Sequence, residues 1–314
     1  MKFSSFRRIA AVTAVATLIV TGTAGCNRGE SGAAASPKIV MALSTLNNPF
    51  FVELHDGALA EAKSAGVQLD IVDAQNDSAA QANQLATASS GSTKAVIVNP
   101  VDSDASSSSV GALLASGIPV IAVDRTVNDT KITSLVASDN VAGGRQAADE
   151  LAKSIGEKGT VIVLQGVSGT SASRDRGAGF EEGIAAYPDI KVVAKQTANF
   201  DRAAALDVTT NLLQAHAGVT GVFAENDEMA LGAIQALGTR AGTEVMVVGF
   251  DGTSDGLAAI TEGTLAATIA QQPAELGRLA VQLAVKALNG DSVEETVPVE
   301  VVTVTKANVG DFGA

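Results

Sequence analysis

The chain has 314 residues, enough for two domains of ordinary size. Hydrophobic residues make up 46% and charged residues 18%, a globular composition that excludes a disordered or collagen-like chain. Acidic residues outnumber basic ones 34 to 21, the net charge is -13, and no basic cluster offsets it, so nucleic acid is not an expected partner.

Lys2, Arg7 and Arg8 form a basic start, Ile9 to Val20 an apolar run, and Thr21 to Gly25 a stretch of small residues before Cys26. This is the pattern of a secretory signal peptide. The apolar run would span only about 18 Å as a helix, short of the ~30 Å hydrocarbon core of a bilayer. Cys26 is the only Cys, which excludes an intrachain disulfide framework; with two His it leaves too little for a structural zinc site. Its position resembles that in a bacterial lipoprotein signal, which implies that residues 1–25 are removed and that Cys26 carries the lipid. Thr23 stands where that pattern most often has Leu. Arg7-Arg8 leaves twin-arginine export open beside the general route. Residues 26–36 read as a flexible tether.

From Lys38 onward strands alternate with amphipathic helices. The first strand candidates are Ile39–Leu43, Val67–Asp73, Ala95–Asn99, Val120–Asp124 and Leu135–Ser138. A second set is Val161–Gln165, Val192–Thr197, Gly221–Ala224, Val245–Phe250 and Ala267–Gln271, and the last run is Val297–Val304. They are Val- and Ile-rich and mostly apolar throughout, as buried parallel strands are. Asn48-Pro49, Asn226-Asp227-Glu228 and Ser254-Asp255 read as helix starts, and Leu276–Leu288 as a helix stopping at Asn289-Gly290. The alternation predicts parallel sheets with helices on both faces. About eleven strands are too many for one twisted sheet, so two sheets are expected.

Ligands of open α/β sheets bind beyond the carboxyl ends of the strands. The residues there are Ser44 and Asn48, Asn99, Asp124 and Arg125, Arg176, Phe200, Asn226, Phe250 and Asp251, and Gln271. Phe50 and Phe51 lie close by. Carboxylates, guanidinium groups and amides beside aromatic rings suit a polyol: its hydroxyls both donate and accept, and its C–H faces cover rings. Each Asn or Ser alone is equally well a helix cap. Asp124, Arg125 and Asp251 are harder to assign to packing, because charges that continue buried strands need partners.

Other chemistry finds little support. Gly166 to Ser171 lacks the spacing of nucleotide-binding loops and reads as a tight turn capped by Thr170 or Ser171. His55 and His216 lie on surface faces of helices, and no nucleophile elbow occurs. Asp73 to Asp77 lacks the Gly and distal Glu of a calcium loop. No cofactor or metal is implied.

In order along the chain, STLNNPFF (44–51), NPVDSD (99–104), ASDN (137–140), QGVSGTS (165–171), FAENDEMALG (223–232) and VVGFDG (247–252) resemble the ribose-binding branch of the periplasmic sugar-binding family. Lactose-repressor-type ligand domains share its fold. The resemblance runs from about Lys38 to Lys306. It implies a type I periplasmic binding protein: two similar Rossmann-like lobes, each a parallel sheet flanked by helices, joined by a three-segment hinge. The N-terminal lobe would comprise 37–138 plus 272–300, the C-terminal lobe 139–271 plus 301–307, and 308–314 a tail. The family's sugar contacts carry over onto all thirteen residues named above, with Phe50, Phe51 and Phe200 sandwiching the sugar. Glu225 stands where that branch has Gln.

The implied function is a non-enzymatic, monomeric, lipid-anchored receptor outside the cytoplasm. It would bind D-ribose or a similar monosaccharide and deliver it to an ABC permease with its ATPase. Another pentose, allose or a furanosyl signalling molecule is the alternative ligand. A transcription regulator would need a helix-turn-helix where the signal stands, and an exported enzyme would need a base–nucleophile pair.

Overall fold

The computed structural model describes residues 36–312; the expected signal and Cys26 lie outside the described residues. The chain runs β1 (Lys38–Leu43), α1 (Pro49–Ala65), β2 (Gln68–Asp73), α2 (Ser78–Ser90), β3 (Thr93–Val98), α3 (Ser107–Ala115), β4 (Val120–Val123) and β5 (Ser134–Ser138). It continues with α4 (Asn140–Ser154), β6 (Gly159–Gln165), α5 (Ser171–Ile184), β7 (Ile190–Thr197), α6 (Arg202–Ala215), β8 (Val219–Ala224), α7 (Asp227–Leu237) and β9 (Met246–Asp251). Last come α8 (Ser254–Glu262), β10 (Ala267–Ala270), α9 (Pro273–Leu288), β11 (Thr296–Val299) and β12 (Val302–Thr305).

Two six-stranded sheets result, ordered β11-β5-β4-β3-β1-β2 and β12-β10-β9-β8-β6-β7. Each is covered on both faces, which is why its strands are apolar at successive positions. Ile39, Met41 and Leu43 of β1 face α1 and α9, while Val40 and Ala42 face α2 and α3. Val161 and Val163 of β6 face α4 and α5, while Ile162 and Leu164 face α6 and α7. In both sheets the strand order reverses beside the first strand, between β1 and β3 and between β6 and β8. The carboxyl ends there open a crevice.

The apolar run at 297–304 is not one strand. It breaks at Glu300-Val301, and β11 and β12 belong to different sheets. Periodicity could not reveal the break, because Val299 enters one core and Val301 and Val304 the other. Val302 pairs with Ala270, at the carboxyl end of β10, so β12 runs antiparallel to its neighbour in an otherwise parallel sheet. The residues expected as a tail pack Val309 and Phe312 on the second lobe. Thr253, rather than Ser254, caps α8, accepting from the Gly256 N–H.

Close helix pairs brace each lobe. A Cβ on Gly57 would lie 2.1 Å from the Ala274 carbonyl oxygen, and one on Gly277 2.1 Å from that of Leu54, so α1 and α9 touch backbone to backbone. The second lobe repeats this: Gly179 meets the Val141 carbonyl at 2.1 Å and Gly144 that of Arg176 at 2.2 Å, joining α5 to α4. Gly277→Val should therefore force the helices apart and lower stability by about 1–3 kcal/mol. Gly111→Ala, in α3 with nothing within 4 Å, should not lower it. Urea unfolding of the two variants checks the contrast.

Candidate functional site

Asn48 opens α1: its Oδ1 accepts from the Phe50 N–H at 2.9 Å, and Pro49 begins the first turn. That cap delivers Phe50 and Phe51 to the crevice, with their rings edge to face. At the end of β4 the Arg125 N–H donates to the Val123 carbonyl at 2.7 Å, a γ-turn about Asp124, whose φ is +65°. This kink turns two successive charged side chains toward the cleft. Asn99, after β3, braces them: its Nδ2 donates to Asp124 Oδ2 and to the Val123 carbonyl, both at 3.1 Å, and its Oδ1 accepts from the Ser44 N–H.

The second lobe supplies the facing wall. Phe200 has φ +58° and its ring lies where a side chain at Gly166 would stand, 2.0 Å from the Cβ position. Asn226 caps α7 through the Met229 N–H, and its Nδ2 donates to the Phe200 carbonyl. Arg176 donates from Nε to Asn140 Oδ1 and from Nη1 to the Glu225 carbonyl. Asp251, φ +121°, accepts from Gln271 Nε2 at 2.7 Å. Three side chains on the walls thus stand on left-handed backbone, which is costly for residues other than Gly and recurs at binding sites.

Between the walls lies about 240 Å³ of space not filled by protein atoms, part of it open to solvent. Asn48, Phe50, Phe51, Asp124 and Arg125 line it from the first lobe, and Arg176, Phe200, Asn226, Asp251 and Gln271 from the second lobe and the hinge. Of the remaining sequence candidates, Ser44 and Asn99 lie behind Asp124, and Phe250 lies under Arg176, whose guanidinium carbon is 3.9 Å from the ring centre. Ala172 also lines the chamber and carries no signal in sequence beyond its small size. Asn140 was not legible as a partner of Arg176, since the contact is distant in sequence.

Two charge pairs dominate the electrostatics. Arg125 lies 3.5 Å from Asp124, and Arg176 3.5 Å from Asp251. Burial raises the pKa of Asp124 against the pull of Arg125, Arg176 and Asn99. Burial likewise raises that of Asp251, against Arg176 and with help from Asp227, and lowers that of Arg125. Arg125 sits over Phe51 at 5.3 Å and Phe200 at 5.6 Å. Asp124 Oδ1, Arg125 Nε and Gln271 Oε1 are buried with no hydrogen-bond partner in the protein. Thr170, not Ser171, caps the turn before α5. Asp73 and Asp77 are occupied with local N–H groups, and Asp77 caps α2.

Two sheets opening on one crevice at their switch points define a two-lobed solute-binding class. Residues 39–292 match the periplasmic binding protein domain, and the chain belongs to that family. It is 46% identical over 294 residues to the ribose import binding protein RbsB of Escherichia coli (strain K12), across 94% of this chain and 97% of that one. A solute-binding protein of Bacillus halodurans C-125 with bound myo-inositol superposes with a TM-score of 0.85 at 32% identity, over 90% of this chain and 99% of that one. A protein of Actinobacillus succinogenes 130z with bound D-allose gives 0.83 at 32% identity, over 88% and 100%.

Glu225 lies beneath this site, fully buried, with Oε2 accepting from the Gly166 N–H at 2.7 Å and from the Ser173 hydroxyl. Burial pushes its pKa up to about 7, outweighing Ser173, Gly166 and Arg176. Folding therefore favours the protonated acid, so its contribution to stability falls as pH rises from its ordinary 4.5 through about 7. Glu225→Gln keeps the shape and removes the titration. Relative to the parent, the variant should be more stable at pH 8 than at pH 5, by up to a few kcal/mol. Chemical unfolding at both pH values measures this; an equal difference at both would refute it.

Proposed function

We propose that this chain is the substrate-binding lipoprotein of an ABC importer, binding D-ribose between its lobes and passing it to a membrane permease without covalent chemistry. The observation that carries the ligand class is the set of buried, unpartnered polar atoms on Asp124, Arg125 and Gln271 around a small aromatic-edged chamber. Sugar hydroxyls would satisfy donor and acceptor alike, and the Phe rings would cover the C–H faces. Similarity to the ribose import binding proteins favours ribose. The relatives solved with D-allose and myo-inositol favour, as a second reading, another pentose, allose or a furanosyl ligand on the same residues.

The lobes on this reading are 37–138 plus 272–300 and 139–271 plus 301–307. They turn about the crossings near 138–139, 271–272 and 300–301. A ligand that touches both walls binds the closed arrangement better and shifts the protein toward it. All thirteen sequence candidates belong to this ligand site, Ser44, Asn99 and Phe250 by supporting those that reach the sugar.

Each charged hydrogen bond to the sugar contributes about 1.5–3 kcal/mol. Asp124→Ala and Asp251→Ala should each weaken ribose binding at least about tenfold. Glu181→Ala, in an exposed pair with Lys195, should leave it unchanged. Isothermal titration with ribose, allose, xylose and glucose measures both effects and selectivity. Equal affinity for ribose and glucose would refute the ribose assignment, and parent affinity in both Asp variants would refute the site.

The anchor is the lipidated Cys26 of the mature chain. One acyl chain holds a protein only marginally to a bilayer, so stable attachment needs more than one. Cys26→Ser should release the protein or leave its signal uncleaved, as membrane fractionation and the size of the product would report. A variant that is processed normally and stays with the membrane would sink this part of the proposal.

A further inference from the structure

Three hydrogen bonds join the walls of the cleft without involving any side chain that lines the chamber. The Ser103 N–H donates to the Gly169 carbonyl at 3.1 Å. The Ser171 N–H donates to Ser103 Oγ at 3.2 Å, and the Thr126 N–H donates to Ser171 Oγ at 2.9 Å. Ser103 and Thr126 follow β3 and β4 of the first lobe, and Gly169 and Ser171 lie at the start of α5 in the second. Among the described residues, these are the direct hydrogen bonds between the lobes away from the hinge crossings. Both serines are buried, at 0% and 4% exposure, so water does not compete for their hydroxyls in this arrangement.

The local structure holds each partner ready. Ser103 is fixed in its own lobe, its carbonyl accepting from the Asn128 N–H at 2.9 Å. The Ser171 N–H belongs to the first turn of α5, where a helix leaves its donors unpaired and in need of an outside acceptor. Gly169, at φ +91°, lets the strands of chain come close: a Cβ there would lie 2.1 Å from Asp102 Oδ2.

We propose that Ser103 and Ser171 form a clasp between the lobes, separate from the sugar contacts, that stabilises the closed protein and so scales the affinity for every sugar by one common factor. The proposal rests on the sugar-receptor reading above. A ligand held by the closed state gains whatever free energy favours closure, whichever ligand it is. When the lobes part, the three donors return to water, so each bond adds only its modest net value. Selectivity stays with the chamber residues, and the clasp sets the level of affinity. These serines are positioning residues that touch no sugar.

The test uses the mature chain, Ser103→Ala, Ser171→Ala and the conservative Ser103→Thr, titrated with ribose and with the tighter-binding of allose and xylose. Each Ala variant should weaken both sugars by the same factor, roughly two- to twelvefold. The ratio between the sugars should be unchanged, and Ser103→Thr should stay near the parent. Either Ala variant suffices if the other fails to fold. Parent affinities in the Ala variants, or a loss confined to one sugar, overturn the clasp. A parent that binds none of these sugars refutes the ribose reading instead. Paramagnetic relaxation between spin-labelled lobes of the sugar-free proteins, which reports a minor closed population, then decides the clasp: a smaller closed fraction in the Ala variants supports it, and an equal fraction overturns it.

Discussion

Four charges stand on the cleft walls almost entirely out of water: Asp124 and Arg125 on one side, Asp251 and Arg176 on the other, each side chain at most 4% exposed. Burying a charge costs several kcal/mol per ion even in favourable surroundings, and a separation of 3.5 Å within each pair recovers only part of it. Much of the local architecture compensates for that cost. Asn99 serves Asp124, the Pro100 carbonyl serves Arg125, Asn140 and the Glu225 carbonyl serve Arg176, and Gln271 serves Asp251. Aromatic rings lie against both guanidinium groups, which are weakly hydrated and stack well. Asp124 Oδ1, Arg125 Nε and Gln271 Oε1, on residues that line the chamber, remain without a hydrogen bond, and that residue of polarity makes a polyol a good partner and an apolar ligand a poor one.

This dependence explains which parts were legible in sequence. Strands buried on both faces write an apolar run that any reader sees, and the charge following such a run, as at Val123-Asp124-Arg125, marks the strand's carboxyl end. Most chamber residues cluster because they lie at or just past strand ends, with Phe50 and Phe51 in the first turn of α1 and Arg176 in α5. The break at Glu300-Val301, where the resemblance puts a lobe crossing, left no mark in the periodicity, since two cores of the same polarity draw on one continuous apolar run. The contact of Asn140 with Arg176 and the seating of Phe200 over Gly166 escaped for another reason: they depend on backbone approaches between distant segments, and neither composition nor period reports those. Single residues such as Asn48 and Asn226 illustrate a further limit, because they cap helices and line the chamber at once. The two explanations did not exclude each other.

The order in which the chain is made adds something to the topology. The first lobe begins with β1, yet the helix that covers half of its inner face, α9, and its edge strand, β11, lie beyond residue 272. The second lobe likewise waits for β12 to close its edge. A nascent chain that has emerged only as far as Gln271 therefore holds no finished lobe: Leu54, Ala58 and Phe51 still lack the Leu276, Ala280 and Val281 against which they pack. The first lobe waits for a helix and a strand, the second for little more than its edge strand with Val301 and Val304. Strand order alone thus delays the completion of both lobes until the last strands of the chain have been made.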